Sequence, residues 1–218
     1  MIISVTEENY LKAIFSATHN AGGKVGNQLI AEKLMINPAS VTEMLRKLQE
    51  KKLIEYTRTV GARLTKEGMK AAIKVIRKHR LWETFLVGHL NFKWDEVHEI
   101  AEQLEHIQSD KLLDELAAFL GEPDFDPHGD PIPDKNGKMP ILKSKMLAEA
   151  TIGKKVRVVK VADNTASFLK YLDKQGIALG DTIIVNEIQD FDQSLLVQLK
   201  GKKEVYLSAE ATKKIMVE

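Results

Sequence analysis

The sequence contains no cysteine. That excludes disulfides and thiolate ligands, so any bound metal must be held by oxygen and imidazole nitrogen. Proline is scarce, 6 residues in 218, and five of the six fall between positions 121 and 140. Regular elements are therefore disfavoured in that one segment and unhindered elsewhere. No apolar run approaches the length of a membrane span, so a membrane partner is not expected. No basic stretch followed by an apolar core opens the chain, so a signal peptide is not expected and a cytoplasmic location is. Net charge is only +1, so no single-sign field dominates.

What is present describes an ordinary globular protein, 44% hydrophobic and 29% charged, long enough for one large or two to three small domains. The charge is unevenly spread. Residues 1–70 carry 11 Lys and Arg against 7 Asp and Glu, whereas residues 71–140 carry 8 against 14. A basic first third points to a polyanionic partner, and an acidic middle points to a cation.

The first third reads as three helices and a hairpin. Residues 6–18 place Tyr10, Leu11, Ile14 and Phe15 on one face, with Thr6 as a cap. Two short helices follow, 27–34 and 39–51, separated by Met35-Ile36-Asn37-Pro38. Asn37 is a suitable N-cap and Pro38 suits the first helical position. Val41, Leu45 and Leu48 turn inward, while Ser40, Thr42, Arg46, Lys47 and Lys51 lie on the other face. Small polar residues at a helix start, with cations along it, fit a helix that enters a major groove N-terminus first. A plain three-helix domain fits the same spacing. The next residues favour the first reading: two short strands at 53–58 and 61–65 form a wing, with Arg58 and Arg63 near its tip as phosphate or minor-groove contacts.

A long helix from 65 to about 87 carries His79 and Glu83, four apart on one face. The periodicity predicts a second helix over 94–107, on which His98, Glu102, Glu105 and His106 share a stripe about 100° wide. Of six histidines, His79, His98 and His106 each have a carboxylate three or four residues away. Two His/Glu helices in tandem are what a divalent-metal site between packed helices requires. Solvated Glu-rich faces are the bland alternative. The proline-rich loop adds Asp126-Pro127-His128-Gly129-Asp130, a linker by composition but also a second ligand candidate. From residue 153 the period changes to two, and five strands with one short helix predict a small barrel of about 65 residues.

These motifs resemble the diphtheria-toxin-repressor family of metal-dependent transcriptional regulators, which includes iron and manganese sensors. The resemblance rests on Arg77-Lys78-His79-Arg80-Leu81 with Glu83, on His98 followed by Glu102, Glu105 and His106, on Asn37-Pro38-Ala39-Ser40-Val41-Thr42, and on Ile132-Pro133. It spans essentially all of the sequence. It implies an α+β multidomain chain: a winged helix-turn-helix (1–72), a helical dimerisation and metal-binding domain (73–140), a linker (141–152) and a C-terminal SH3-like domain (153–218).

The resemblance also implies two metal sites. One would use His79, Glu83 and His98 with help from the third domain, where Asp163 resembles the family's acidic residue. The other would use Glu102, Glu105 and His106 with a first-helix side chain, Asn9 or alternatively Glu8. Where the iron-sensing branch has cysteine, this chain has Glu102, and where the streptococcal-type manganese sensors have Cys-Pro-His, it has Asp126-Pro127-His128. Oxygen in place of sulfur favours Mn²⁺, with Fe²⁺ the alternative. The expectation is a homodimer that binds double-stranded palindromic operator DNA and is not an enzyme. The competing readings are a His/carboxylate metalloenzyme and a metal-independent winged-helix protein.

Overall fold

The computed structural model describes residues 3–21 and 23–218. The chain forms two compact units. The first comprises Met1–His79, Glu102–Asp114 and Pro133–Lys138, and the second Arg80–Ala101, Glu115–Ile132 and Met139–Glu218.

The first unit opens with helix α1, Val5–Ala21. It starts one residue earlier than the sequence suggests, because Ser4 rather than Thr6 caps it. The Glu7 N–H donates to Ser4 Oγ at 3.4 Å, and the Ser4 N–H donates to Glu7 Oε2 at 2.9 Å, a reciprocal capping box. Tyr10, Leu11, Ile14 and Phe15 are buried, as their spacing predicts. Helices α2 (Asn27–Leu34) and α3 (Pro38–Glu50) follow. Met35 ends α2 in the left-handed region at φ 54°, and Asn37 starts α3 by accepting from the Ala39 N–H at 2.9 Å. Val41, Leu45 and Leu48 seal α3 to its neighbours.

Strands β1 (Ile54–Thr57) and β2 (Gly61–Leu64) pair antiparallel, Ile54 opposite Leu64 and Thr57 opposite Gly61. An isolated bridge from Val25 to Ala62 ties the wing to the segment before α2. Gly61 cannot be replaced there without movement, since its φ is +96° and a Cβ would lie 2.3 Å from the Val25 carbonyl oxygen. Helix α4, Lys66–His89, then runs for 24 residues and contributes to both units.

Helix α5 covers His98–Leu104 and α6 covers Asp110–Phe119. The 94–107 helix expected from periodicity is thus shortened at both ends. Asn91 takes a left-handed φ of 58° before it, and Glu105 and His106 lie in a turn after it. Their side chains are therefore not on one helical stripe with His98 and Glu102.

In the second unit, six antiparallel strands follow: β3 (Lys145–Met146), β4 (Lys155–Val161), β5 (Thr182–Ile188), β6 (Leu195–Gln198), β7 (Glu204–Leu207) and β8 (Ile215–Val217). Their order is β3-β8-β4-β5-β6-β7. Helix α7 (Ala166–Gln175) follows β4, and α8 (Ala209–Lys214) precedes β8. The core gathers Val158, Ile183, Val197 and Leu207, inward residues of alternating strands, with Leu169 of α7 and Leu147. The five expected strands are present. Strand β3 is added in the segment read as linker, and α8 occupies the start of the expected last strand. Winged helix, helical region and SH3-like β region together make the α+β multidomain architecture.

Candidate metal centres and nucleic-acid interface

In the second unit, one ligand atom from each of Glu83, Asp126 and His128 lies within 4.8 Å of the others, and all three residues are buried. Glu83 comes from α4, and the other two come from the proline-rich loop. The loop is stiffened from inside. Asp126 Oδ1 accepts from the backbone N–H of His128 (2.8 Å) and of Asp130 (3.0 Å). It is also held against β4, because the Val161 N–H donates to the His128 carbonyl at 2.9 Å. Gly129 permits that approach. Its φ is +84°, and a Cβ would stand 2.1 Å from the Val159 carbonyl oxygen.

His128 Nε2 lies 2.8 Å from the Trp94 carbonyl oxygen, to which it can only donate. That directs the other nitrogen inward. His128 Nδ1 is buried with no hydrogen-bond partner, 3.5 Å from Glu83 Oε2. Burial pushes the Asp126 carboxyl up to about 7, with the Glu83 and Asp130 charges adding to the rise. Burial opposes protonation of His128, but the Glu83 and Asp126 carboxylates outweigh it and raise the imidazole to about 8. Arg80 is the nearby cation, 3.7 Å from Asp126 and 3.6 Å from Asp130, and it also donates to the Pro131 carbonyl. His98 Nδ1 stands 3.4 Å from Glu83 Oε1, half-exposed at the edge of the group. An orphaned imidazole nitrogen facing two buried carboxylates fits a divalent cation of the kind that takes oxygen and nitrogen donors.

The first unit holds a second cluster. His79 Nδ1 lies 2.5 Å from Glu105 Oε2, and Lys12 Nζ reaches the same oxygen at 2.7 Å. Glu105 is 1% exposed. Burial raises its carboxyl, but His79 and Lys12 together hold it below the ordinary range. Glu102 stands 3.7 Å from Lys12 and is half-exposed. His106 Nδ1 lies 2.6 Å from Glu8 Oε2, and Gln108 Nε2 donates to Glu8 Oε1 at 2.9 Å. Lys78 Nζ is 3.7 Å from Glu8, and burial lowers its ammonium.

Of the ligand sets implied by resemblance, His79, Glu83 and His98 do group, one ligand atom of each within 4.8 Å of the others. His79 Nδ1 also faces Glu105. Of the two first-helix candidates, Glu8 meets His106, while Asn9 lines a groove with Thr6, Ser40, Glu43 and Lys47. Asp163 spends its carboxylate on Lys214 (2.9 Å) and on the Thr165 N–H (2.9 Å). Lys12 and Gln108 were not singled out from the sequence, and Arg80 entered only as part of a motif. Lys12 had a visible signal, being four residues from Glu8 on one helix face.

On the nucleic-acid side, Asn37, Pro38, Ser40, Arg46 and Lys47 are exposed at the start and outer face of α3, and Arg58 is exposed in the turn after β1. Thr42 is half-buried and accepts from Asn27 Nδ2 at 2.9 Å. Lys51 pairs with Glu7 at 2.7 Å, and Arg63 with Glu55 at 2.6 Å across the wing. These two cations serve the fold as well as the surface.

Three family models match: the iron dependent repressor N-terminal DNA binding domain over residues 3–62, the iron dependent repressor metal binding and dimerisation domain over 65–134, and the FeoA domain over 145–218. A solved manganese-dependent transcriptional repressor in complex with manganese is 35% identical. It is similar over 96% of this chain and 98% of its own, with a TM-score of 0.87. The manganese regulator SloR is 32% identical, with a TM-score of 0.77 over 100% and 99% of the two chains. The iron-dependent repressor IdeR of Mycobacterium tuberculosis is 33% identical over 59% of this chain and 55% of its own. The chain thus spans about half the length of that curated relative, and 17% of a probable metal transport system membrane protein of Chlamydia trachomatis that it also matches. This chain belongs to the diphtheria-toxin-repressor family of metal-dependent transcriptional regulators, a family of DNA-binding proteins and not of enzymes.

Proposed function

We propose that this protein is a metal-dependent transcriptional repressor that binds palindromic double-stranded operator DNA as a homodimer when loaded with Mn²⁺. The observation that carries the metal requirement is the buried His128 Nδ1, which faces the buried carboxylates of Glu83 and Asp126 and makes only a long 3.5 Å contact with Glu83. Glu83, Asp126 and His128, with His98 at the edge, would hold one ion. Glu8, Glu102, Glu105 and His106, with His79, would hold the other. A bound divalent ion supplies positive charge and coordination at carboxylates that otherwise repel one another. The absence of any cysteine thiolate supports Mn²⁺, and Fe²⁺ is the second reading, favoured by the match to IdeR.

Glu8 and Glu7 lie side by side on α1. Glu8 engages the second cluster, and Glu7 engages Lys51 at the end of α3. α1 therefore joins the metal ligands to the DNA-reading helix. Ser40 would read base edges, and Arg46, Lys47 and Arg58 would meet phosphates. An aromatic group on the second unit supports dimerisation: Trp82, Phe85, His89 and Phe119 pack in successive pairs 4.8–6.0 Å apart between centroids, mostly edge-on or tilted, and Phe119 is 63% exposed.

The test is a titration of metal-stripped protein with Mn²⁺, Fe²⁺ under anaerobic conditions, Zn²⁺ and Mg²⁺, following binding to its own promoter region by fluorescence anisotropy. Tightening by Mn²⁺ at micromolar levels, with Fe²⁺ weaker, is expected. Equal tightening by Fe²⁺ would favour the iron reading. Full affinity without metal would refute the metal requirement.

A further inference from the structure

The second cluster already contains a cation. Lys12 Nζ stands 2.7 Å from Glu105 Oε2, 3.2 Å from His79 Nδ1 and 3.7 Å from Glu102 Oε1. Its side chain is 21% exposed, against 1% for the glutamate it touches. Lys12 lies one turn beyond Glu8, so a single face of α1 delivers both a carboxylate for His106 and an ammonium for Glu105. At 2.5 Å, the His79 Nδ1–H also donates to Glu105 Oε2. That oxygen thus has two positive or polarised donors before any metal arrives. The atoms that would coordinate an ion here, Glu105 Oε2 and His79 Nδ1, are both in use. The Glu83–Asp126–His128 group differs. Its guanidinium stands 3.7 Å away, and His128 Nδ1 makes only a 3.5 Å contact with Glu83.

We propose that Lys12 is an internal counter-ion that occupies the Glu105–His79 position in the metal-free protein. It sets the metal concentration at which this cluster fills, which makes it the later of the two to load. An incoming ion must displace the ammonium from Glu105, and that contact is lost when the metal bonds form. The cost is that of a buried charge-assisted hydrogen bond, so removing the ammonium shifts the threshold by about tenfold or more. Lys12 is a positioning and threshold residue, not a ligand. The ammonium also holds the metal-free cluster together, so the same change that tightens metal binding loosens the metal-free fold.

This inference rests on the metal-site reading above. The experiment compares wild type, Lys12→Gln, Lys12→Met and Lys12→Arg by calorimetric titration with Mn²⁺ alone and by thermal melting without metal. Two binding steps are expected for wild type. The weaker step should tighten about tenfold in the Gln and Met variants and stay near wild type in Arg, while the tighter step is unmoved. The metal-free melting temperature should fall for Gln and Met, with a larger gain on adding Mn²⁺. An unchanged or weaker second step in Lys12→Gln would overturn the inference while leaving the metal sites standing. Wild type that takes up no Mn²⁺ would instead sink the metal-site reading itself. If Lys12→Met does not fold, Lys12→Gln, which keeps a donor to Glu105 without the charge, decides the matter.

Discussion

The two His/carboxylate clusters use the same donor types and stand in opposite electrostatic states. Around Glu105 the negative charge is compensated from within. His79 and Lys12 both point at one oxygen, and the carboxyl is held low. Around Asp126 the compensation is incomplete. Burial and two neighbouring carboxylates push its carboxyl up to about 7, and the cluster draws in protons for want of a closer cation. A cluster that is short of positive charge gains most from a divalent ion. One that carries its own counter-ion gains less and responds only at higher metal concentration. A sensor with one site of each kind can use the first to hold its structure and the second to read the metal level.

The largest expected effect would come from His128→Ala. It removes the imidazole of the charge-deficient cluster and should weaken Mn²⁺ binding there by more than about 100-fold, since even outer partners of ligands cost about 10- to 100-fold. The calorimetric step assigned to the Glu105 cluster should remain. Loss of both steps together would break the comparison and show that the clusters act as one site.

Glu8→Ala and Asn9→Ala form a sharper pair. Glu8→Ala leaves His106 and Gln108 without their shared acceptor and should weaken the second Mn²⁺ step by about tenfold. Asn9→Ala should leave that step nearly unchanged. The reverse ranking, read from the same isotherms, would return the first-helix ligand to Asn9.

The smallest effect is on stability against pH. The Asp126 carboxyl rises from its ordinary 3.8 to about 7 in the folded chain, and His128 rises from 6.5 to about 8. In both cases the folded chain keeps a proton that the unfolded chain has released. The associated stability is therefore complete below the unfolded values and is lost as pH rises, through 7 for Asp126 and through 8 for His128. Metal-free protein should melt at lower temperature at pH 8 than at pH 6, and Asp126→Asn should flatten the slope. A flat wild-type profile would mean that the cluster is not short of positive charge.

The winged helix and the β region were legible because each obeys a local period. Val41, Leu45 and Leu48 repeat at helical spacing, and the strands of the last third alternate. The ligand residue types were legible too, as histidines with carboxylates nearby. Their grouping was legible only in part. A stripe drawn through His98, Glu102, Glu105 and His106 assumes one continuous helix, and that helix ends at Leu104. Beyond it, Glu105 and His106 are placed by Lys12, His79 and Glu8, partners 26 to 98 positions away. Tertiary ion pairs decide such placements, and periodicity carries no record of them. Asn9 and Glu8 differ by about 100° on α1, so choosing between them required knowing which neighbour each one faces. Gly129 was read as part of a linker-like loop, whereas its close approach to β4 depends on a strand some thirty residues later.

That approach has a consequence for when the protein can respond. The His128 carbonyl is held by Val161, and β4 is in turn paired with β5 and with β8, whose last residue is Val217. Glu83 is synthesised early, but the loop that completes its cluster gains its anchor to the β region only when this later strand exists. Contacts so distant in sequence form late, both on the ribosome and in refolding. A nascent or truncated chain can fold its winged helix while the Glu83 centre is still unassembled. The Glu83 centre therefore takes its final form only once β4 is in place, whereas the Glu8–His106 cluster draws on no residue beyond Gln108.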